Sequence, residues 1–290
     1  MSGDIHDPGQ RRFLFLQGPH GPFFGRLGRM LSLAGARCWR VGFNRGDQAF
    51  WPDADRYIAY RDPSEAWPQT FRDLVARHGI TDIVLYGDAR AIHAEAIAAA
   101  RTLGLTIHVF EEGYLRPYWV TYERGGSNGN SALIGMDVTG MQKALAASTG
   151  EQPEAPAHWG DMRQHIFYGA AYHAFVLLLN RRYRNFRPHR ALSVAQEFRL
   201  YLKRLLLMPA LWADRVIATA RVRGGGYPYH VALLQLEHDS SFQAHSPFGT
   251  MTEFLDLLID GFATGAPGHH HLVIKAHPLE DGRVDLRAHI

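Results

Sequence analysis

Four short apolar runs, with helix-like segments between them, constrain what the first part of this chain can become. The runs are Phe13–Gln17, Arg37–Gly42, Thr81–Tyr86 and Thr106–Phe110. Each is short, rich in apolar, β-branched or aromatic residues and closed by turn residues, the pattern of strands buried on both faces. Helices are expected at Arg26–Ala34, at Ser64–His78 and at Ala89–Leu103. Ser64 suits the N-cap of the second and Gly79 its C′ position, and Gly104 stops the third. Parallel strands must be joined by crossovers, so an alternation of this kind predicts a doubly wound parallel sheet.

Ligands of open α/β sheets sit past the carboxyl ends of the strands. The last run therefore matters most, because Thr106–Phe110 leads straight into Glu111, Glu112 and Gly113, with Arg116 close behind. Gly113 permits a tight turn and a close approach. Two readings stay open for this segment: carboxylates facing a crevice, or an acidic loop after an ordinary strand. Asp88, Arg90 and His93 close the preceding run and share that crevice if the two strands are neighbours. The Gly18–Gly25 stretch lacks dinucleotide-type glycine spacing and is interrupted by two prolines. It reads as a turn, with His20 available to the cleft. Asn44–Trp51 reads as a loop. Asp53 and Asp55 have the spacing of a metal–nucleotide site, but no strand precedes them and they are read as a turn. Gly125–Ser131 is loop chemistry, either a segment that closes over substrate or a linker.

At 290 residues there is room for two domains. Apolar residues at 46% and charged residues at 20% support a core and argue against disorder. A net charge of +3 is far from the basic stripe of a nucleic-acid binder and suits anionic small ligands or an acidic membrane surface. The single Cys38 excludes an intrachain disulfide and fits a reducing compartment. The start of the chain is polar, unlike a secretory signal. The longest apolar tract, Ile166–Leu179, carries Tyr168, Tyr172 and His173 and falls short of the ~18 residues of a spanning helix. A soluble or peripheral protein is expected. Residues 159–222 turn helical and bring arginine clusters, Arg181-Arg182-Tyr183-Arg184, Arg187 and Arg190, then Lys203-Arg204. They either rest on anionic lipid or form a solvated inter-domain segment.

After Gly224–Gly226 a second strand–helix–strand pattern follows: Val231–Leu236, a helix near Thr252–Ala263, and His271–Lys275 running into Ala276-His277-Pro278. The expected organisation is a Rossmann-like domain over 1–150, a helical linker over 151–225 and a partial nucleotide-binding domain over 226–290. His269–His271 alternate faces in extended chain and do not make one closed metal site. No metal and no cofactor are expected.

Several segments in order resemble a known family. Gln17-Gly18-Pro19-His20-Gly21-Pro22-Phe23-Phe24, Tyr86-Gly87-Asp88, Phe110-Glu111-Glu112-Gly113-Tyr114-Leu115-Arg116-Pro117, Leu234-Gln235-Leu236-Glu237-His238-Asp239-Ser240-Ser241 and Lys275-Ala276-His277-Pro278 together resemble the capsular polysaccharide biosynthesis/export family. That family includes retaining β-Kdo transferases that start the lipid linker of bacterial capsules. The resemblance implies a GT-B-like fold of two Rossmann-like domains, CMP-Kdo as donor and a phosphatidylglycerol-type lipid as acceptor. It implies a cytoplasmic enzyme peripheral to the inner membrane, working beside other capsule assembly proteins and without nucleic acid. It implies catalytic roles for Glu111, Glu112 and His277. Substrate contacts are implied for His20, Asp88, Arg116, Gln235, Asp239, Ser240 and Lys275. The family also carries a Ser/Thr-rich segment beyond the His-Pro step, so the second domain is expected to be incomplete here. The competing expectation is a non-catalytic component of the export machinery that binds glycolipid or partner proteins.

Overall fold

The computed structural model describes residues 10–113, 119–148, 163–183, 194–277, 280, 282 and 284–289. The chain divides into two compact units, Met1–His189 and Arg190–Ile290.

The first unit is built on a six-stranded sheet. In chain order its elements are β1 (Arg12–Phe15), α1 (Phe23–Leu33), β2 (Arg37–Gly42), α2 (Arg45–Ala49), β3 (Tyr57–Ala59), α3 (Trp67–His78), β4 (Asp82–Tyr86), α4 (Ala91–Thr102), β5 (Thr106–Glu112), β6 (Val120–Arg124), α5 (Val138–Ala146) and α6 (Arg163–Leu179). The strand order is β3-β2-β1-β4-β5-β6, parallel throughout except for the antiparallel β6.

Alternation along the strands builds a core on each face. Leu14, Leu16, Val41, Ile83, Leu85, Ile107 and Val109 pack against Trp67 and Phe71 of α3 and Ala96 and Ile97 of α4. Phe13, Phe15, Cys38, Val84 and Tyr86 pack against Phe24 of α1 and Trp51. Burial on both sides is why these strands read as continuous apolar runs.

The expected parallel sheet is present, with four differences of detail. The Asn44–Trp51 segment contains helix α2, because the Asn44 side chain accepts a hydrogen bond from the Asp47 amide and nucleates it. Ser64 does not cap α3; it opens a short 3-10 turn, and Ala66 occupies the cap position. Gly79 closes α3 at φ 60°, as expected. Strands β3 and β6 have no counterpart among the four apolar runs. β3 is only three residues long, and β6 is an edge strand whose residues alternate between exposed and half-buried.

The second unit holds α7 (Val194–Gly224), β7 (Tyr229–Leu233), α8 (Ser240–His245), α9 (Met251–Gly265), β8 (His271–Lys275) and α10 (Leu286–His289). Strands β7 and β8 pair in parallel, with Leu233 opposite Lys275. The α9 crossover seats Met251 and Leu255 against Leu234. A capping box formed by Thr250 and Glu253 starts α9. Among the described residues no helix is long and apolar enough to cross a membrane.

One ion-pair cluster ties three strands near the amino edge of the first sheet. Asp82, at the start of β4, is 1% exposed. It accepts hydrogen bonds from Arg11 Nε at 3.1 Å, Thr81 Oγ1 at 2.6 Å and His108 Nε2 at 2.8 Å. Burial opposes its charge, but these donors win and bring the carboxyl down to about 2. A depressed carboxyl stabilises the fold above its unfolded-state pKa and stops doing so as pH falls through the folded one. Asp82→Asn is expected to cost about 2 kcal/mol at neutral pH. Thermal melts of the two proteins at several pH values check this: the gap in Tm should be wide at pH 7 and close between about pH 4 and pH 2.

Candidate functional site

Gln17, Asn44 and Asp88 each lie two residues past the end of their strand, β1, β2 and β4 respectively. They mark the carboxyl edge of the first sheet, where the chain leaves β1 toward β2 on one side and β4 lies on the other. That is the topological switch point, the ligand crevice of an open α/β sheet. Gln17 is buried and bridges the crevice: its Oε1 accepts from Arg90 Nη1 at 3.1 Å.

Helix α6 lies against the β1 and β2 side of this edge. Its Tyr172 hydroxyl accepts from Asn44 Nδ2 at 2.6 Å and from Gln17 Nε2 at 3.4 Å, and donates to Asp47 Oδ1 at 3.3 Å. Asp47 also pairs with Arg40 Nη2 at 3.1 Å and accepts from the Phe43 amide at 3.0 Å. Arg40 and Asp47 are 1% and 0% exposed. Burial pushes the Asp47 carboxyl up, opposed by Arg40 and by the Phe43 amide. Burial and the charge of Asp47 likewise raise the Tyr172 phenol, so it stays a neutral hydroxyl. The same helix packs Tyr172 and His173 on the ring of half-buried His20, at centroid distances of 4.6 and 5.0 Å. His20 therefore stands at this edge, as expected, in an aromatic setting.

The acidic pair differs from its sequence reading. Glu111 and Glu112 are not in a loop; they are the last residues of β5, paired with Thr121 and Val120 of β6. The antiparallel strand β6 extends β5 past the point where the apolar run stops. Gly113 then pairs its amide with the Trp119 carbonyl at 3.0 Å, and a Cβ there would collide with that carbonyl. Consecutive strand residues project to opposite faces. Glu112 shares its face with Phe110, which packs on Phe23 and Phe24 of α1. Glu111 takes the other face and lies over Gly87: a Cβ on Gly87 would stand 3.2 Å from Glu111 Oε2. The two carboxylates thus share an edge and occupy separate faces.

Asp88 is 3% exposed and holds the loop that follows β6. Its Oδ2 accepts from the Ser127 amide at 2.8 Å and from Asn130 Nδ2 at 3.1 Å. The Gly125–Ser131 segment is thereby pinned to the end of β4 through Asp88. Asp88 Oδ1 and Ser127 Oγ are buried and take no hydrogen bond among the described residues.

In the second unit the expected site residues gather at the carboxyl ends of two neighbouring strands. Gln235 follows β7 and is exposed. Asp239 caps α8, accepting from the Ser241 amide at 2.8 Å, and Ser240 is the first residue of that helix. Lys275 ends β8, and half-buried His277 follows it. Arg116 and Pro278 lie outside the described residues. The histidine run is engaged locally: His270 Nδ1 is 2.8 Å from His230 Nε2, and Tyr227 stacks on His271 at 3.8 Å. Among the described residues no three metal-ligating side chains converge.

The sequence assigns no site role to Arg40, Asp47 or Tyr172. The one available signal was Arg40 inside an apolar strand with Asp47 seven residues on, a charge that a buried strand must neutralise.

The sequence profile described as "Capsule polysaccharide biosynthesis protein" matches residues 81–290. The chain is 29% identical to the capsule polysaccharide export protein KpsS of Escherichia coli, over 94% of this chain and 69% of that protein. It is equally 29% identical to the capsule polysaccharide modification protein LipB of Neisseria meningitidis serogroup B, over 94% of this chain and 65% of that one. The chain therefore spans about two thirds of the length of these relatives. A crystal structure of PaaA overlaps 61% of this chain and 66% of its own at 11% identity and a TM-score of 0.28, too loosely to carry an argument.

Two substitutions probe the seat of α6. Tyr172→Phe removes the hydroxyl that satisfies buried Asn44 and is expected to destabilise the protein by about 1–3 kcal/mol. Gly46→Ala places a Cβ 2.5 Å from the Tyr172 ring, with a similar cost of about 1–3 kcal/mol from overpacking. Gly135→Ala, whose Cβ meets nothing within 4 Å, serves as the near-neutral control. Thermal melts read all three.

Proposed function

The chain belongs to the capsule polysaccharide biosynthesis protein family, and from that premise we propose that it transfers Kdo from CMP-Kdo to a phosphatidylglycerol-type lipid, with retention at the anomeric carbon. In this reading the two units are the halves of a GT-B-type enzyme at the cytoplasmic face of the inner membrane, working with other capsule assembly proteins. The observation that supports it is the position of the acidic pair. Both glutamates end the fifth strand, at the carboxyl edge where α/β sheets do their chemistry.

Retention calls for two displacements. A carboxylate attacks the anomeric carbon, the bond to the CMP phosphate breaks, and CMP departs with the electron pair. The acceptor hydroxyl then displaces the carboxylate from the opposite side and gives up its proton. Alternation along β5 leaves one glutamate per face, so the two do not share a role. One attacks, and the acceptor proton falls to the other or to Asp88, whose Oδ1 takes no hydrogen bond among the described residues. CMP is a good leaving group and needs charge stabilisation rather than a strong acid. His277 and Lys275, at the end of β8, are assigned to its phosphate, with Gln235, Asp239 and Ser240 on the nucleotide. His20 and Arg116 are assigned to the sugar, Arg116 to its carboxylate. No metal and no cofactor take part in this scheme.

The name of one relative, an export protein, favours a second reading, a glycolipid- or partner-binding component of the export machinery without catalysis.

CMP release from CMP-Kdo in the presence of a phosphatidylglycerol lipid separates the two. Under the first reading, Glu111→Gln and Glu112→Gln made separately are expected to differ, one losing roughly a thousandfold or more in kcat. His277→Ala is expected to lose about a hundredfold. Lipid-dependent CMP release indifferent to all three changes overturns the catalytic roles, and binding of lipid with no release of CMP supports the export reading.

A further inference from the structure

Helix α6 ends in three exposed leucines, Leu177, Leu178 and Leu179, at 57%, 74% and 53% exposure. Two arginines follow within the next turn, Arg181 and Arg182, both exposed. That turn is fixed on the first unit. The Asn180 side chain accepts from the Arg45 amide at 2.9 Å, and the Tyr183 hydroxyl meets Tyr57 at 3.0 Å and Gln48 at 3.2 Å. The result is an open cleft of about 720 Å³ lined by Arg45, Leu178, Leu179, Arg181 and Arg182. Among the described residues no carboxylate pairs with any of the three arginines.

We propose that this cleft and its leucine ridge are the surface by which the protein docks on an anionic phospholipid bilayer. Three guanidinium groups with no carboxylate partner among the described residues suit the phosphates of lipid headgroups, which arginine engages by paired hydrogen bonds. The leucines beside them are apolar groups held out in water, where they gain by entering the acyl boundary. A soluble phosphometabolite would use the arginines and leave the leucines exposed; a bilayer uses both. Arg45 opens α2, next in sequence to Asn44, so the surface borders the carboxyl edge that carries Gln17 and Asn44. The assignment deepens the acceptor half of the function proposed above, and it stands or falls by binding rather than by sugar transfer.

The test is sedimentation of the whole chain with vesicles, without any sugar donor. Binding is expected to vesicles containing phosphatidylglycerol, to be weak on phosphatidylcholine alone, and to fall with added salt. Each basic side chain at an anionic surface is worth roughly a fivefold factor in partition, so R181E/R182E is expected to lose about 25-fold or more. R181K/R182K should keep most of the binding. L178S/L179S should lose severalfold at unchanged melting temperature. Four results overturn the proposal. One is partition that ignores phosphatidylglycerol. Another is charge reversal without effect. A third is full competition by soluble glycerol phosphate, which indicates a free-phosphate site. The last is a concentration-dependent rise in mass abolished by L178S/L179S, which indicates a second copy on the leucines. Since no donor is present, failure here leaves the transfer reaction standing, and failure of CMP release leaves the binding result standing.

Discussion

A buried ion pair is costly and leans on the hydrogen bonds that surround it; in the first unit these gather on Asp47, while Arg40 Nε and Nη1 take no hydrogen bond among the described residues. Arg40 and Asp47 are almost wholly removed from water. The Phe43 amide, part of the same turn, satisfies one oxygen of Asp47. The other oxygen receives Arg40 and a hydroxyl that arrives 125 residues later, from Tyr172. The sheet edge is therefore complete only when α6 is in place, and α6 is held by polar contacts as well as apolar ones. This also explains why Gly46 has no side chain: the Tyr172 ring passes where its Cβ would be.

That dependence carries through to the chemistry at the edge. Gln17 touches Tyr172 on one side and Arg90 on the other, so the loops after β1 and β4 are linked to α6 by hydrogen bonds. On the far side, Asp88 fixes the segment after β6, and β6 in turn extends β5 as far as Glu112. The acidic pair is thus set on a strand instead of a loop. Rigid placement is what the proposed nucleophilic role would need, and the pleat gives the two glutamates different neighbours without any loop conformation having to choose between them.

Much of this was legible in the residues. Runs such as Arg37–Gly42 and Thr81–Tyr86 announce strands buried on both faces, because no polar alternation interrupts them. Gly79 announces the end of α3 by its left-handed backbone. What escaped is what depends on distant partners. Glu111 and Glu112 look like loop residues because they are charged and precede a glycine; pairing with Thr121 and Val120 makes them strand. Val120–Arg124 alternates in the manner of an edge strand, yet its five residues gain their identity only beside β5. Asn44 and Asp47 carry a helix-start signal, but the helix is a single short segment. The role of Tyr172 could not be read locally, since its partners are Gln17, Asn44 and Asp47. The acidic pair, Asp88 and His20 were placed at the correct edge by a general property of α/β sheets, whereas the face each glutamate takes required the exact end of β5.

The arginine cleft follows from the same seat of α6. A helix anchored at Tyr172 reaches Leu179 two turns later, and its last exposed turn then points wherever the anchor directs it. The Asn180 contact with the Arg45 amide and the Tyr183 contact with Tyr57 stop the chain there and bring Arg181 and Arg182 beside Arg45. Three like charges placed together repel one another, and among the described residues the structure offers no carboxylate to relieve them. A fold that uses Asp47 to neutralise Arg40, and Asp82 to neutralise Arg11, leaves half-buried Arg45 and exposed Arg181 and Arg182 beside exposed leucines. That combination is unfavourable in water alone and is relieved by a surface both anionic and apolar, which is the physical basis of the proposed membrane docking.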